Sequence, residues 1–167
     1  KKLQERLRVK NPMAVPRLQK IVVNSSMKDF LADKKNLEKQ ASDLALVTGQ
    51  KPKLARARIS VATFKLRKGD EIGLTVTLRG TRMYELFEKI VRIVLPRVRD
   101  FAGIAPKAFD GRGNLSIGFT ENTVFPEIDP GKVDRVRSLQ VTFVTNAGDN
   151  ERARALLEEM GIRFKKS

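Results

Sequence analysis

Seven cations, Lys51, Lys53, Arg56, Arg58, Lys65, Arg67 and Lys68, stand together in the chain with no acidic residue among them until Asp70. Directly behind them the run Glu71–Arg79 alternates, with Ile72, Leu74, Val76 and Leu78 at one parity and Gly73, Thr75, Thr77 and Arg79 at the other. Ammonium and guanidinium groups neutralise anionic oxygens, and small hydroxyls donate and accept hydrogen bonds without bulk. The pairing suits gripping a polyanion by its backbone. It does not suit making or breaking bonds.

Catalysis has little to work with. The chain has no Cys and no His, which removes thiolate metal sites, cysteine nucleophiles, disulfides and the commonest general acid/base. The phosphate-binding GxxxxGK[ST] and GxGxxG patterns are missing. An enzymatic reading would rest on Asp110, Glu121 and Glu127 as metal-bound carboxylates for phosphoryl chemistry, and their spacing matches no known site of that kind.

The charge balance points outward to a partner. A net charge of +15 on 167 residues, with a pI near 10.5, is relieved by a polyanion. A membrane surface fits less well, because the cations fall on alternating and loop positions rather than along one helix opposite Trp or Phe. The longest apolar run, Ile90–Leu95, is broken by Arg92 and too short to span a bilayer. A soluble, intracellular protein is expected, with a core that 41% hydrophobic residues can fill and a single domain over 1–167.

These side chains need elements to hold them. Lys1–Lys10 reads as the end of a helix stopped at Pro12, and Arg17–Asn24 as a strand with Ile21 and Val23 inward and Lys20, Val22 and Asn24 outward. Asp29–Thr48 reads as a helix with Leu37, Ala41, Leu44, Ala45 and Thr48 on one face, capped by Asp29 or Asp33 and ended by Gly49. Lys53–Val61 reads as a strand whose Arg56 and Arg58 form a basic stripe, serving either a partner or the protection of an edge. Thr63–Arg67 and Glu71–Arg79 read as a hairpin about Lys68-Gly69-Asp70.

Arg82–Leu95 has the clearest helical period, with Met83, Leu86, Phe87, Ile90, Val91, Val94 and Leu95 inward, Glu85–Lys89 and Glu88–Arg92 as i,i+4 pairs, and Pro96 as its stop. FDGRGN (Phe109–Asn114) reads as a turn, Leu115–Phe119 as a strand, Thr123–Lys132 as irregular, Leu139–Val144 as a strand and the segment after Asp149 as a helix ending at Gly161. The order predicts an α+β fold: a mostly antiparallel sheet with helices packed on one face and the other face open.

On that open face Asn24, Thr75, Thr77 and Arg79 fall together, offering amide, hydroxyl and guanidinium groups to ribose, base edges and phosphate. No aromatic pair accompanies them, so stacking of splayed bases is poorly served, and folded RNA read by shape and backbone fits better. DNA would need a recognition helix, and every clearly periodic helix is committed to the core.

Several stretches, in order, resemble one family. LVTGQKP (Leu46–Pro52), FKLRKG…IG…VTLRG…RMYEL (Phe64–Leu86), LPRVRDF (Leu95–Phe101), FDGRGN, FPEI (Phe125–Ile128) and ERARALLEEMG (Glu151–Gly161) are similar to large-subunit ribosomal protein number five, the universal 5S-rRNA-binding family, in its bacterial or organellar form. The likeness runs from about Val15 to Lys165. It implies a five-stranded antiparallel sheet with helices on one side, no catalysis, no cofactor, and a ribosome-bound place in the cytoplasm or an organelle.

The partners it implies are 5S rRNA in the central protuberance, large-subunit rRNA, P-site tRNA and a small-subunit head protein across an intersubunit bridge. By the same resemblance Asn24, Gln50 and Thr77, with Lys51, Thr75 and Arg79 beside them, meet 5S rRNA. The loop Lys65–Gly73, with Lys65, Arg67, Lys68 and Gly69, faces tRNA. Asp110, Arg112 and Asn114 lie on the bridge side.

The chain departs from the family pattern at Ser25–Met27 after Asn24, at Ile59 and Ala102 where cations are common, and at Asp70–Glu71 in the tRNA-facing loop. The family's first helix is largely missing, and with Lys1 in place of Met the N-terminus is expected to be trimmed. A free RNA-binding regulator or RNA chaperone is the competing expectation.

Overall fold

Alternation of apolar residues builds the sheet. In β1 (Leu18–Ser26) Ile21, Val23 and Ser25 are buried, while Val22 and Asn24 are half-buried on the other side. In β3 (Glu71–Leu78) Leu74, Val76 and Leu78 are buried in the same way, and in β5 (Leu139–Thr145) Leu139, Val141 and Phe143 are. With β2 (Lys53–Arg56) and β4 (Leu115–Phe119) they form one five-stranded sheet in the order β2-β3-β1-β5-β4. Every neighbouring pair is antiparallel. The computed structural model describes residues 2–26, 34–64, 66–99, 101–129, 131 and 137–165, with backbone alone at 34–36 and 64.

Helices cover the apolar face. From α2 (Lys34–Thr48) come Leu37, Leu44 and Val47, and from α3 (Gly80–Lys89) Met83, Leu86 and Phe87. Leu157 of α5 (Asn150–Glu159) joins the same core. Phe87 meets the fully buried Phe143 edge-to-face with ring centres 5.5 Å apart, the geometry aromatic quadrupoles favour. The short α1 (Lys2–Arg6) lies against α5, where Arg6 pairs with Glu158.

Asp149 caps α5 by accepting the Arg152 N–H at 2.7 Å, as its position predicts. The expected cap at Asp29 or Asp33 lies outside the described residues, as do Pro130 and Lys132 of the expected irregular stretch.

Several local expectations are corrected. The strand expected over Thr63–Arg67 is absent among its described residues: Ala62–Phe64 forms a 3-10 turn, closed by reciprocal Val61–Leu66 backbone bonds of 3.0 and 3.1 Å. The partner of β3 is β2, which ends at Arg56 rather than running on to Val61. A register shift between Ala55 and Arg56 breaks the ladder, and Ala57 turns inward to exchange backbone bonds with Asp70 and Gly69 (2.8 and 2.9 Å). Arg56 and Arg58 are both exposed, yet they form no stripe along one strand.

The helix of Arg82–Leu95 begins at Gly80 and does not stop at Pro96. It passes through a π-helical turn, Ile90–Val94, into α4 (Leu95–Arg97), and Leu95 N–H bonds back to Ile90 O. Proline has no N–H to offer the preceding turn and its ring crowds the carbonyl four residues back, so a widened turn accommodates it. Of the two ion pairs expected on its wet side, Glu88–Arg92 forms at 2.8 Å, whereas Lys89 turns to Glu127 and to the Val47 carbonyl at 3.0 Å.

Ser25 has a clear packing role. Its hydroxyl accepts from Gln40 Nε2 and donates to the Ser138 carbonyl (3.2 Å), and Gln40 Oε1 in turn accepts from the buried Arg137 guanidinium at 3.0 Å. A polar network joining β1, α2 and the approach to β5 gives these buried groups partners within the chain.

Candidate nucleic-acid interface

Pleating sends alternate side chains to opposite faces, so the cross-strand register decides which polar groups meet on the uncovered one. One row reads Lys53, Thr75, Asn24, Gln140, Gly118 across all five strands. The next reads Thr77, Val22, Thr142, Ser116. All nine are half-buried or exposed, and neither row holds a carboxylate. Thr142 and Ser116 share a hydroxyl–hydroxyl bond of 2.9 Å, which fixes both and leaves lone pairs outward.

Residues from elsewhere in the chain complete this face. Gln50 follows the C-terminus of α2, where the Thr48 hydroxyl bonds the Leu44 carbonyl at 2.7 Å and the Gln50 carbonyl at 3.1 Å. The Gln50 side chain then donates to the Thr77 carbonyl at 3.3 Å. Lys51 is exposed just before β2, and Arg79 is exposed at the end of β3 in extended backbone (φ −140°, ψ 165°). Asn24, Thr75 and Thr77 thus share the open face, with Gln50 tied to it through the Thr77 carbonyl, whereas Lys51 lines a groove beside α2 with Leu37, Ala41 and Leu54.

Gly73, between Thr75 and Glu71, is there for close approach. A Cβ at that position would sit 2.8 Å from the Ser25 carbonyl of β1.

Sequence reasoning turned Lys20 outward with Asn24 but did not name Lys53, Ser116, Gln140 and Thr142 for the same face. For Gln140 and Thr142 the signal was the alternation in Leu139–Phe143. For Lys53 only the pairing with Thr75 could reveal it.

The loop between β2 and β3 answers the question raised by its acids. Asp70 turns inward: its carboxylate accepts the Arg67 N–H at 2.7 Å, and its own N–H bonds the Arg67 carbonyl at 3.1 Å. Glu71 pairs with Arg56 at 3.7 Å. Lys68 N–H bonds the Ser60 hydroxyl at 3.0 Å. Both acids are therefore used within the chain, and the Arg67 and Lys68 side chains stay exposed at the tip. Lys65 lies outside the described residues.

The FDGRGN segment is a turn closed on itself. Asp110 accepts from the Arg112 N–H (2.8 Å), the Asn114 N–H (3.0 Å) and the Asn114 side-chain amide (2.6 Å). Burial pushes the Asp110 carboxyl up, but these donors, led by the Asn114 side chain, hold it below the usual carboxylate range. Asn114 Oδ1 accepts from Thr145 N–H at 3.2 Å, anchoring the turn to β5, and Arg112 projects exposed from it.

The enzymatic reading finds no support in this geometry. Asp110 is bound into its own turn, Glu127 pairs with Lys89, and among the described residues no three acids gather where a metal could bind.

Two family models match this chain. Residues 11–67 match the one described as ribosomal protein L5, and residues 71–164 match the one that describes the C-terminus of the same ribosomal family. The large ribosomal subunit protein uL5 of Carboxydothermus hydrogenoformans is 52% identical, covering 97% of this chain and 90% of that protein. The uL5 of Dictyoglomus turgidum is 52% identical over 94% of this chain and 88% of its own. That of Anaeromyxobacter sp. strain K is 50% identical over 98% and 91%.

Proposed function

The chain belongs to the ribosomal protein L5 family, a non-enzymatic structural constituent of the large ribosomal subunit, and on that premise we propose that its open sheet face binds 5S rRNA in the central protuberance. The observation that carries this reading is the register: Thr75 opposite Asn24, and Thr77 bridged by Gln50, on a face no described helix covers. Hydroxyl and amide groups held by a rigid sheet meet ribose and base edges at fixed spacing. Lys51, Lys53 and Arg79 beside them neutralise phosphate.

Because the strands that carry these groups are already held in the sheet, little backbone ordering entropy is lost on docking. Shape and backbone complementarity then carry recognition, with no stacking platform required.

Two further contacts follow from the same reading. The 65–73 loop, with Asp70 turned to the Arg67 N–H and Arg67 and Lys68 exposed, reaches P-site tRNA. The Asp110–Asn114 turn, locked by its own carboxylate and displaying Arg112, meets a protein of the small-subunit head.

The test is binding of the purified chain to 5S rRNA against a duplex RNA of equal length, together with sedimentation of the chain in cell extracts. Preferential binding to 5S rRNA and co-migration with large subunits are expected. RNA binding without 5S preference, with the chain at the top of the gradient, would replace this reading with that of a free RNA-binding regulator.

A further inference from the structure

Gly118 sits inside β4, one residue from its end, without a packing contact that requires glycine. Its backbone is outside the left-handed region, and a Cβ built on it meets nothing within 4 Å. The contrast is with Gly73, where the Ser25 carbonyl leaves no room for a side chain. A glycine inside a strand weakens it and marks a place where a ligand or another backbone comes close. No part of the described chain takes that place.

The bare position opens a notch of about 400 Å³ on the open face, lined among others by Asn24, Ser26, Gly118, Thr120, Ser138 and Gln140. That is the low end of the range for a small-molecule site, roughly 300–1,000 Å³. Asn24, Gln140 and Gly118 are consecutive partners in one cross-strand row, so two primary amides stand beside the missing side chain. Each amide offers both donors and an acceptor, the pattern that matches a base edge.

Among the described residues the lining carries no charged side chain. The cations near this face stand elsewhere: Lys53 at the far end of the same row, Lys20 four residues before Asn24 on β1, and Arg79 exposed after β3. A polyanion is drawn to the face by those cations, but the notch itself is built to read a neutral part of it.

We infer that Gly118, Asn24 and Gln140 form a nucleotide subsite, in which one unpaired nucleotide of the bound RNA lays its base on the bare strand and is read by the two amides. The inference rests on the RNA-face reading above and extends the footprint from the β2-β3-β1 half of the sheet to the β5-β4 half.

The experiment compares wild type, Gly118→Val and Gln140→Ala for binding to transcribed 5S rRNA and to the control duplex, across a salt series, with chemical probing of each complex. Valine suits a strand and its Cβ meets nothing within 4 Å here, so the melting temperature of Gly118→Val is expected to hold or rise, which checks the fold. Its affinity for 5S rRNA is expected to fall roughly tenfold or more. The log–log salt slope should be unchanged because no phosphate contact is lost, and one unpaired nucleotide should lose protection in Gly118→Val and Gln140→Ala alike.

Affinity within about twofold of wild type with the same protected nucleotides would overturn the subsite and leave the RNA-face reading intact. A matching loss on the duplex, or a lower salt slope, would also overturn it, since that marks a general disturbance of the face. Failure of the wild type itself to prefer 5S rRNA removes the parent reading, and is seen before any variant is considered.

Discussion

The Gln50 side chain donates a hydrogen bond to the Thr77 backbone carbonyl at 3.3 Å, tying the end of α2 to the strand that leads the open face. The contact uses the Thr77 main chain and leaves its exposed hydroxyl free for a partner. The bond thus positions the strand, while the hydroxyl is held ready for RNA.

Thr77→Ala therefore keeps the Gln50 bond and removes only the outward group. Affinity for 5S rRNA is expected to drop by about 1–3 kcal/mol if that hydroxyl is buried against RNA, with the same range for Asn24→Ala. Filter binding reads the loss, and thermal melting should show the Thr77→Ala fold unaltered. Wild-type affinity in both variants would move the interface off this face.

Lys53 shares a row with Thr75 but its ammonium is exposed. Lys53→Gln should weaken binding evenly across RNA sequences and reduce the magnitude of the log–log salt slope by ~0.7–0.9, the share of one phosphate. An unchanged slope would mean that Lys53 only keeps the surface solvated.

Asp70 is expected to organise the loop tip rather than the fold. Removing its carboxylate in Asp70→Ala deprives the Arg67 N–H of its acceptor, so hydrogen exchange at Arg67 should quicken roughly tenfold while global unfolding shifts by less than about 1 kcal/mol. Equal losses at Arg67 and in the core strands would show that the tip and the sheet unfold as one unit.

The Arg6 guanidinium holds the Glu158 carboxyl below its usual range, against the opposing effect of burial, with Arg154 Nε adding a second bond at 2.8 Å. A carboxyl depressed in the folded state stabilises the fold above its unfolded value, near ~4.3, and loses that contribution as the pH falls through the folded value. Glu158→Gln should therefore unfold at lower urea than wild type at neutral pH, and the gap should close in acid. A gap that stays constant from neutral pH into acid would mean that the ion pair contributes nothing to stability.

Much of this molecule was legible in one dimension because alternation and helical period are local properties. The inward faces of β1, β3 and β5, the core stripe Met83–Leu86–Phe87, the Asp149 cap and the FDGRGN turn all follow from neighbours within a few positions. The open face with Asn24, Thr75 and Thr77 followed as well, because parity on a strand fixes the side to which each residue points.

Other features needed the folded chain, because they depend on partners distant in sequence. The alternation at Thr63–Arg67 resembles a strand, yet the bonds among Ala57, Gly69 and Asp70 close that segment into a loop. Lys89 chose Glu127 over Glu85 because tertiary packing brings a better-placed acid than the helix does. Asp70 and Glu71 look in sequence like stray acid in a basic loop, and only their hydrogen-bond and ion-pair partners show them turned to structural use. Composition and periodicity alone thus determined a basic α+β protein with one polar sheet face. The row from Lys53 through Thr75, Asn24 and Gln140 to Gly118 was decided by strand order and register, since pairing across a sheet joins residues that no local pattern connects.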